Sequence, residues 1–197
     1  MVFDSNQYWK DRYLKGGTSG AGSYGILAEY KAEIINNFVK EKEIKSVFDY
    51  GCGDGNQIGL FNFENYTGYD ISEKMILAHN SNPKFRSRKW HFLNSLANVR
   101  HKFELTISLD VIFHLTNQKE FETYINNLFA IASKYVIIYS SNGDKLETSN
   151  VHVKDREFLT YVPKEFELMQ KIDNKYPYNP KDPINTSISD FYIFKRK

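Results

Sequence analysis

Hydrophobic positions along the chain follow two periods in turn. Between residues 26 and 40, Leu27, Lys31, Ile34, Ile35 and Phe38 fall near the 3.6-residue repeat of a helix. Residues 45–50 (KSVFDY) read as a short buried strand that runs directly into Gly51. Residues 56–61 read as a short helix, 66–69 as a second strand, and Ser72 as the N-cap of the helix that follows. Residues 90–94 and 103–109 (FELTISL) are the third and fourth strands. The next helix has the cleanest stripe of the chain, with Phe121, Tyr124, Ile125, Leu128, Phe129 and Ala132 repeating on one face. Residues 135–140 (YVIIYS) are apolar enough for a fully buried fifth strand. The alternation then stops. Residues 166–172 and 191–194 read as two strands joined by a proline-rich loop, 173–190, which favours antiparallel pairing.

Alternating β and α segments predict an α/β fold, with a mostly parallel sheet, helices on both faces, and a closing hairpin that adds an antiparallel strand. The length of 197 residues suits one domain, 1–197. Residues 16–25 carry five glycines, too many for a stable helix or strand, and predict a flexible loop. Tyr8, Trp9, Arg12 and Tyr13 precede it, which favours a mobile lid spanning 1–25 over a disordered arm.

Composition narrows the classes. The 26 Lys and Arg are nearly balanced by 24 Asp and Glu, so there is no electrostatic footprint of a dedicated nucleic-acid binder. A single cysteine, Cys52, excludes an internal disulfide and agrees with a reducing compartment. The charged N-terminus lacks the apolar region of a secretory signal, and no stretch reaches the length of a membrane span. A cytoplasmic protein is the expectation.

The central motif is V-F-D-Y-G-C-G-D-G, residues 47–55, placed after a strand and before a helical segment. Glycines there let the backbone turn sharply and let a ligand approach the main chain. Asp70 ends the next strand, 19 residues after Gly51 (70 − 51). An acid at that distance can accept from both ribose hydroxyls of a nucleotide. The glycine spacing is not G-x-G-x-x-G, and no Walker lysine follows, so a ligand with a ribose but no phosphate fits best.

The run D-Y-G-C-G-D-G, followed by Y-D-I-S-E-K-M, resembles motifs I and II of class I S-adenosylmethionine-dependent methyltransferases. The resemblance implies a Rossmann-like fold, S-adenosylmethionine as cofactor and S-adenosylhomocysteine as product. It implies Asp49 beside the methionine moiety, with Gly51, Cys52 and Gly53 in the loop. It places Asp70 on the ribose, Ile71 against the adenine with Met75 nearby, and Leu109 at the end of strand four. Where the family has an Asp that meets the adenine amino group after strand three, this chain has Asn94 and Ser95, either of which could hydrogen-bond there. The terminal hairpin matches the family's order, with an antiparallel seventh strand beside the fifth. The runs Y-W-K-D-R-Y, G-G-T-S-G-A-G-S-Y-G, S-L-D-V-I-F-H-L and H-V-K-D-R-E-F further resemble small bacterial methyltransferases of capsule and other surface-glycan biosynthesis. That implies a sugar-like or phosphate-bearing small-molecule acceptor.

Methyl transfer to a hydroxyl needs alignment and help from a general base. Asp110 and His114 follow strand four, four residues apart, which suits one face of a helical turn. His114 is the proposed base, with Asp110 orienting it, raising its pKa or contacting the cofactor's amino end. His152 and Arg156 are assigned to the substrate, the arginine gripping a phosphate or carboxylate, with Tyr24 also on the substrate side. Arg12 is assigned to the cofactor's carboxylate as the lid closes. The five histidines form no ligand cluster, so no metal is expected. The alternatives are a nicotinamide-dependent oxidoreductase and a non-catalytic cofactor-binding protein of the same fold. Methylation of a nucleic-acid amine is disfavoured, since strand four ends in L-D-V-I-F rather than D/N-P-P-Y/F.

Overall fold

The computed structural model describes residues 3–143 and 152–197. Much of the polar loop expected after the fifth strand, 144–151, lies outside the described residues. The strands are β1 (Val47–Tyr50), β2 (Tyr66–Tyr69), β3 (His91–Leu93), β4 (Phe103–Leu109), β5 (Ala132–Ser140), β6 (Phe166–Ile172) and β7 (Asp190–Arg196). They form one sheet in the order β3-β2-β1-β4-β5-β7-β6. The five strands from β3 to β5 are parallel, and β7 runs antiparallel between β5 and β6.

Side-chain alternation sorts the sheet into two faces. Val47, Leu105, Ile107, Ile137 and Ile193 point to one core with Ile35, Phe38 and Val39 of α2 (Gly25–Glu41). Phe48, Val136, Ile138, Tyr192 and Phe194 point to the other, against Phe121, Ile125 and Leu128 of α5 (Gln118–Ile131). The stripe read from the sequence is thus the buried face of α5. Ser72 caps α3 (Glu73–Ser81), its side chain accepting from the Met75 amide.

Four regions differ from expectation. Residues 5–14 form a helix, α1 (Ser5–Leu14), capped by the Asp4 side chain on the Gln7 amide. The glycine-rich segment is not wholly irregular, because Ala21–Ser23 makes one 3-10 turn and Gly25 already belongs to α2. The chain also forms a five-residue helix, α4 (Pro83–Ser87), with proline at its start. The segment expected as a helix at 56–61 is a 3-10 turn, Ile58–Leu60.

Candidate active site

A cleft of about 510 Å³ opens at the carboxyl ends of the parallel strands. This is the side on which open α/β sheets bind ligands. Its floor is the loop after β1. Gly51, Gly53 and Gly55 all have positive φ, at 101°, 62° and 91°. A side chain on Gly51 would come within 2.7 Å of Val111, and one on Gly53 would collide with Ser19 Oγ. The loop is tied to β2 by the Gly51 and Cys52 amides, which both donate to the Tyr69 carbonyl.

Asp70 holds the loop from the other side. Its carboxylate accepts from the Gly53 amide at 3.0 Å and from the Ser72 amide at 2.8 Å. Each oxygen keeps a second lone pair for a ligand hydroxyl. Burial pushes its pKa up to about 6, against those two amide bonds. Asp49 is also buried and accepts from Tyr66 through Oδ2 at 2.8 Å, while Oδ1 has no hydrogen-bond partner. Burial raises its pKa to about 7. Two further cleft-wall acceptors are buried without a partner, Gln57 Oε1 and Glu120 Oε2.

Of the other residues expected at the cofactor, Cys52, Ile71 and Leu109 line the cleft. Met75, Asn94 and Ser95 are absent from its wall, and Asn94 is exposed. The contact expected from Asn94 or Ser95 is therefore not placed there. Arg12 is likewise turned away. Its Nε donates to the Thr18 carbonyl at 2.6 Å and its Nη1 to Tyr8 Oη at 3.2 Å, so it braces the turn after α1.

Asp110 and His114 both line the cleft but do not pair. Asp110, with φ 57°, accepts from Lys31 Nζ at 2.7 Å and from Ser189 Oγ at 2.8 Å. Only residues 112–114 make a 3-10 turn, so the two side chains do not stack on one helical face. His114 Nδ1 instead meets the His152 carbonyl oxygen at 3.1 Å. A carbonyl only accepts, so Nδ1 carries the proton and Nε2 is the basic nitrogen. Burial lowers the His114 pKa to about 4, outweighing the nearby carboxylate that was expected to raise it.

The assigned substrate residues also move. The His152 ring stacks on Tyr8 at 5.3 Å and contributes its main chain to His114, outside the cleft wall. Arg156 is buried and spends its guanidinium on the carbonyls of Leu115 and Thr116 and on Gln118, fastening the β4–α5 connection. Tyr24 lies outside the wall and donates to Asp54 Oδ2 at 2.8 Å.

That last bond is part of a latch. Ser19 N donates to Asp54 Oδ2, Asp54 N donates to Ser19 Oγ, and Tyr13 Oη lies 2.9 Å from the same Ser19 Oγ. At its other end α1 is fixed by Ser5, whose hydroxyl donates to the His114 carbonyl at 2.6 Å. Lys74 Nζ caps the carbonyl of Tyr13 at 2.8 Å. The N-terminal segment therefore lies across the cleft, with Trp9 and Tyr13 in its wall.

Two residues escaped the sequence reading. His79 bonds the Gly53 carbonyl through Nε2 at 2.8 Å and fills the space beside Gly55. Its partner is a main-chain atom, so no sequence pattern announces it. Lys31 had a signal, since it occupies the apolar stripe of α2. Among the described residues, no three His, Cys, Asp or Glu side chains converge as for a metal, and no helix is long and apolar enough to cross a membrane.

No protein-family model matches the sequence, and comparison with curated proteins gives no match. Solved structures do. The N-methyltransferase NodS from Bradyrhizobium japonicum WM9, in complex with S-adenosyl-l-homocysteine, has a TM-score of 0.72 at 11% identity, over 98% of this chain and 99% of that one. Magnesium protoporphyrin IX methyltransferase from Synechocystis PCC 6803, with bound SAH, has a TM-score of 0.68 at 17% identity, over 98% and 100%. A S-adenosylmethionine-dependent methyltransferase from Clostridium acetobutylicum ATCC 824 has a TM-score of 0.61 at 14% identity, over 96% and 97%. The chain has the Rossmann-like fold of these methyltransferases.

Proposed function

We propose that this chain is an S-adenosylmethionine-dependent methyltransferase whose acceptor is a small hydroxyl-bearing molecule, such as a sugar or a surface-polysaccharide precursor, in the cytoplasm. The observation that carries the cofactor reading is the unpartnered, buried Asp49 Oδ1 beside the Asp70-clamped glycine loop. A buried acceptor without a partner is costly, and a ligand ammonium relieves the cost. Asp70 would take the ribose hydroxyls and Ile71 the adenine face. S-adenosylmethionine supplies a methyl group on a cationic sulfur.

The charge of the wall supports the same reading. Asp49, Asp54, Asp70, Asp110 and Glu120 face Lys31 and Lys119. Such a surface attracts a cation and repels the pyrophosphate of a dinucleotide, which disfavours the oxidoreductase alternative. At the acceptor end, Trp9 packs edge-on to His114 with ring centres 4.9 Å apart. His114 is neutral at physiological pH and offers Nε2 to an acceptor hydroxyl proton. With Arg156 committed to the backbone, a neutral hydroxyl acceptor suits the site better than a phosphorylated one.

Calorimetric titration with S-adenosylhomocysteine, with NADH in parallel, tests the reading. Micromolar binding of the first and none of the second is expected. Binding of NADH alone would replace the methyltransferase reading with the oxidoreductase.

A further inference from the structure

We propose that Lys31 is the residue that receives the carboxylate of the cofactor's methionine end, an inference that rests on the cofactor reading above. Lys31 sits on α2 with its side chain only 1% exposed, yet its atoms form part of the cleft wall. A lysine is rarely buried unless it is paired. Its pair is Asp110, which is itself held in place by Ser189 Oγ and by its own amide on the Tyr139 carbonyl at 2.9 Å. The Tyr139 ring lies 5.3 Å from the ammonium. An ammonium has three donors, and among the described residues only Asp110 accepts from this one.

The arrangement of charge then matches an amino-acid end group. Asp49 and Lys31 belong to the same cleft wall and interact electrostatically. An ammonium on Asp49 Oδ1 and a carboxylate on Lys31 Nζ would complete an alternating series, from the Asp49 anion to the Asp110 anion, with each charge beside its opposite. Neither Arg12, expected at this end from the sequence, nor Lys119, the other lysine in the cleft wall, serves. Arg12 is committed to Thr18 and Tyr8, and Lys119 is exposed at the start of α5.

The test compares S-adenosylmethionine with its decarboxylated analogue, by calorimetry at pH 7.5 on the full chain. The analogue carries one more net positive charge, so the acidic wall by itself favours it. A preference for the intact cofactor therefore reports a specific carboxylate contact. The wild type is expected to prefer the intact cofactor by tenfold or more. In Lys31→Met that ratio is expected to fall to about one or below, with the analogue's own affinity within about threefold of wild type. Lys31→Met leaves Asp110 buried alone, so Lys31→Met/Asp110→Asn is measured beside it and is expected to show the same collapse. A wild-type ratio retained in either folded variant overturns the assignment and leaves the cofactor reading standing. So does a wild type that fails to discriminate. A wild type that binds neither compound overturns the cofactor reading, and the assignment with it.

Discussion

Asp49 takes its charge where water does not follow, and the consequence can be read as stability. Its pKa is about 7 in the folded chain and near 3.8 in the unfolded one. Between those values the folded chain holds a proton that the unfolded chain has released. Stability of the ligand-free protein from this group therefore falls as pH rises from about 4 through 7. Asparagine does not ionise. Asp49→Asn is expected to raise the melting temperature at pH 8, to change it little at pH 4.5, and to weaken S-adenosylhomocysteine binding by about tenfold to a hundredfold. Thermal melts at the two pH values and one titration check this, and a variant that melts lower at pH 8 would refute it. For His114 the expectation is different. A base with a pKa of about 4 is already deprotonated at every working pH. His114→Ala should lower turnover by about a hundredfold, the low end of general-base effects, with cofactor affinity unchanged. The kcat profile should show no His114 inflection above pH 5.5, and an inflection near 6.5 that vanishes in the variant would contradict the buried, neutral imidazole.

At the scale of elements, what could be read from sequence depended on whether one face was apolar. β4 alternates and α5 repeats cleanly, and both were legible, as was Ser72 as a cap. α1 was not, because Tyr8, Trp9 and Tyr13 are interleaved with Lys10, Asp11 and Arg12 and give no single stripe. Asp49, Asp70 and the glycines were readable as a group because the two acids stand at the ends of neighbouring parallel strands, on either side of the loop after β1. The positions of Arg12, His152 and Arg156 were not, because each is set by main-chain and aromatic contacts that no residue pattern announces. Arg156 accordingly belongs to the β4–α5 connection. Arg156→Lys keeps the charge and loses the fork, and should cost about 2–4 kcal/mol of stability while leaving the acceptor KM unchanged. A raised KM without loss of stability would return Arg156 to the substrate. The latch gives a sharper test. Gly53→Ala forces a side chain into left-handed backbone, costing about 1–2 kcal/mol, and drives it against Ser19 Oγ. Ser19→Ala removes that oxygen together with its bonds to Asp54 and Tyr13. The double variant should therefore be more stable than the sum of the single changes predicts, and strict additivity would mean the segment does not rest on the loop.

The cleft gathers buried carboxylates that no cation relieves directly. The sheet orders two buried carboxylates, Asp49 and Asp70, at adjacent strand ends, and neither has a cation as a direct partner. Their raised pKa values, about 7 and about 6, follow from the same burial. A ligand that brings an ammonium and two hydroxyls relieves both, so binding and proton release are coupled. Above pH 7 both carboxylates are ionised and binding is at full strength. As pH falls through 7 and then 6, each must lose a proton before it can serve, and affinity should fall by between tenfold and a hundredfold at pH 5.5. Ligand at one hundred times its dissociation constant adds about 2.7 kcal/mol to stability, or roughly 5–10 °C for a chain of this size. The same ligand concentration at pH 5.5 should give a shift smaller by at least about 1.4 kcal/mol, roughly 3–5 °C. Melting curves with and without S-adenosylhomocysteine at pH 8 and pH 5.5 measure the difference directly. In Asp49→Asn most of it should disappear, because the higher of the two titrations is gone. Equal shifts at both pH values in the wild type would mean that the ligand does not meet these carboxylates, and the amino-acid end of the cofactor would have to be placed elsewhere in the cleft.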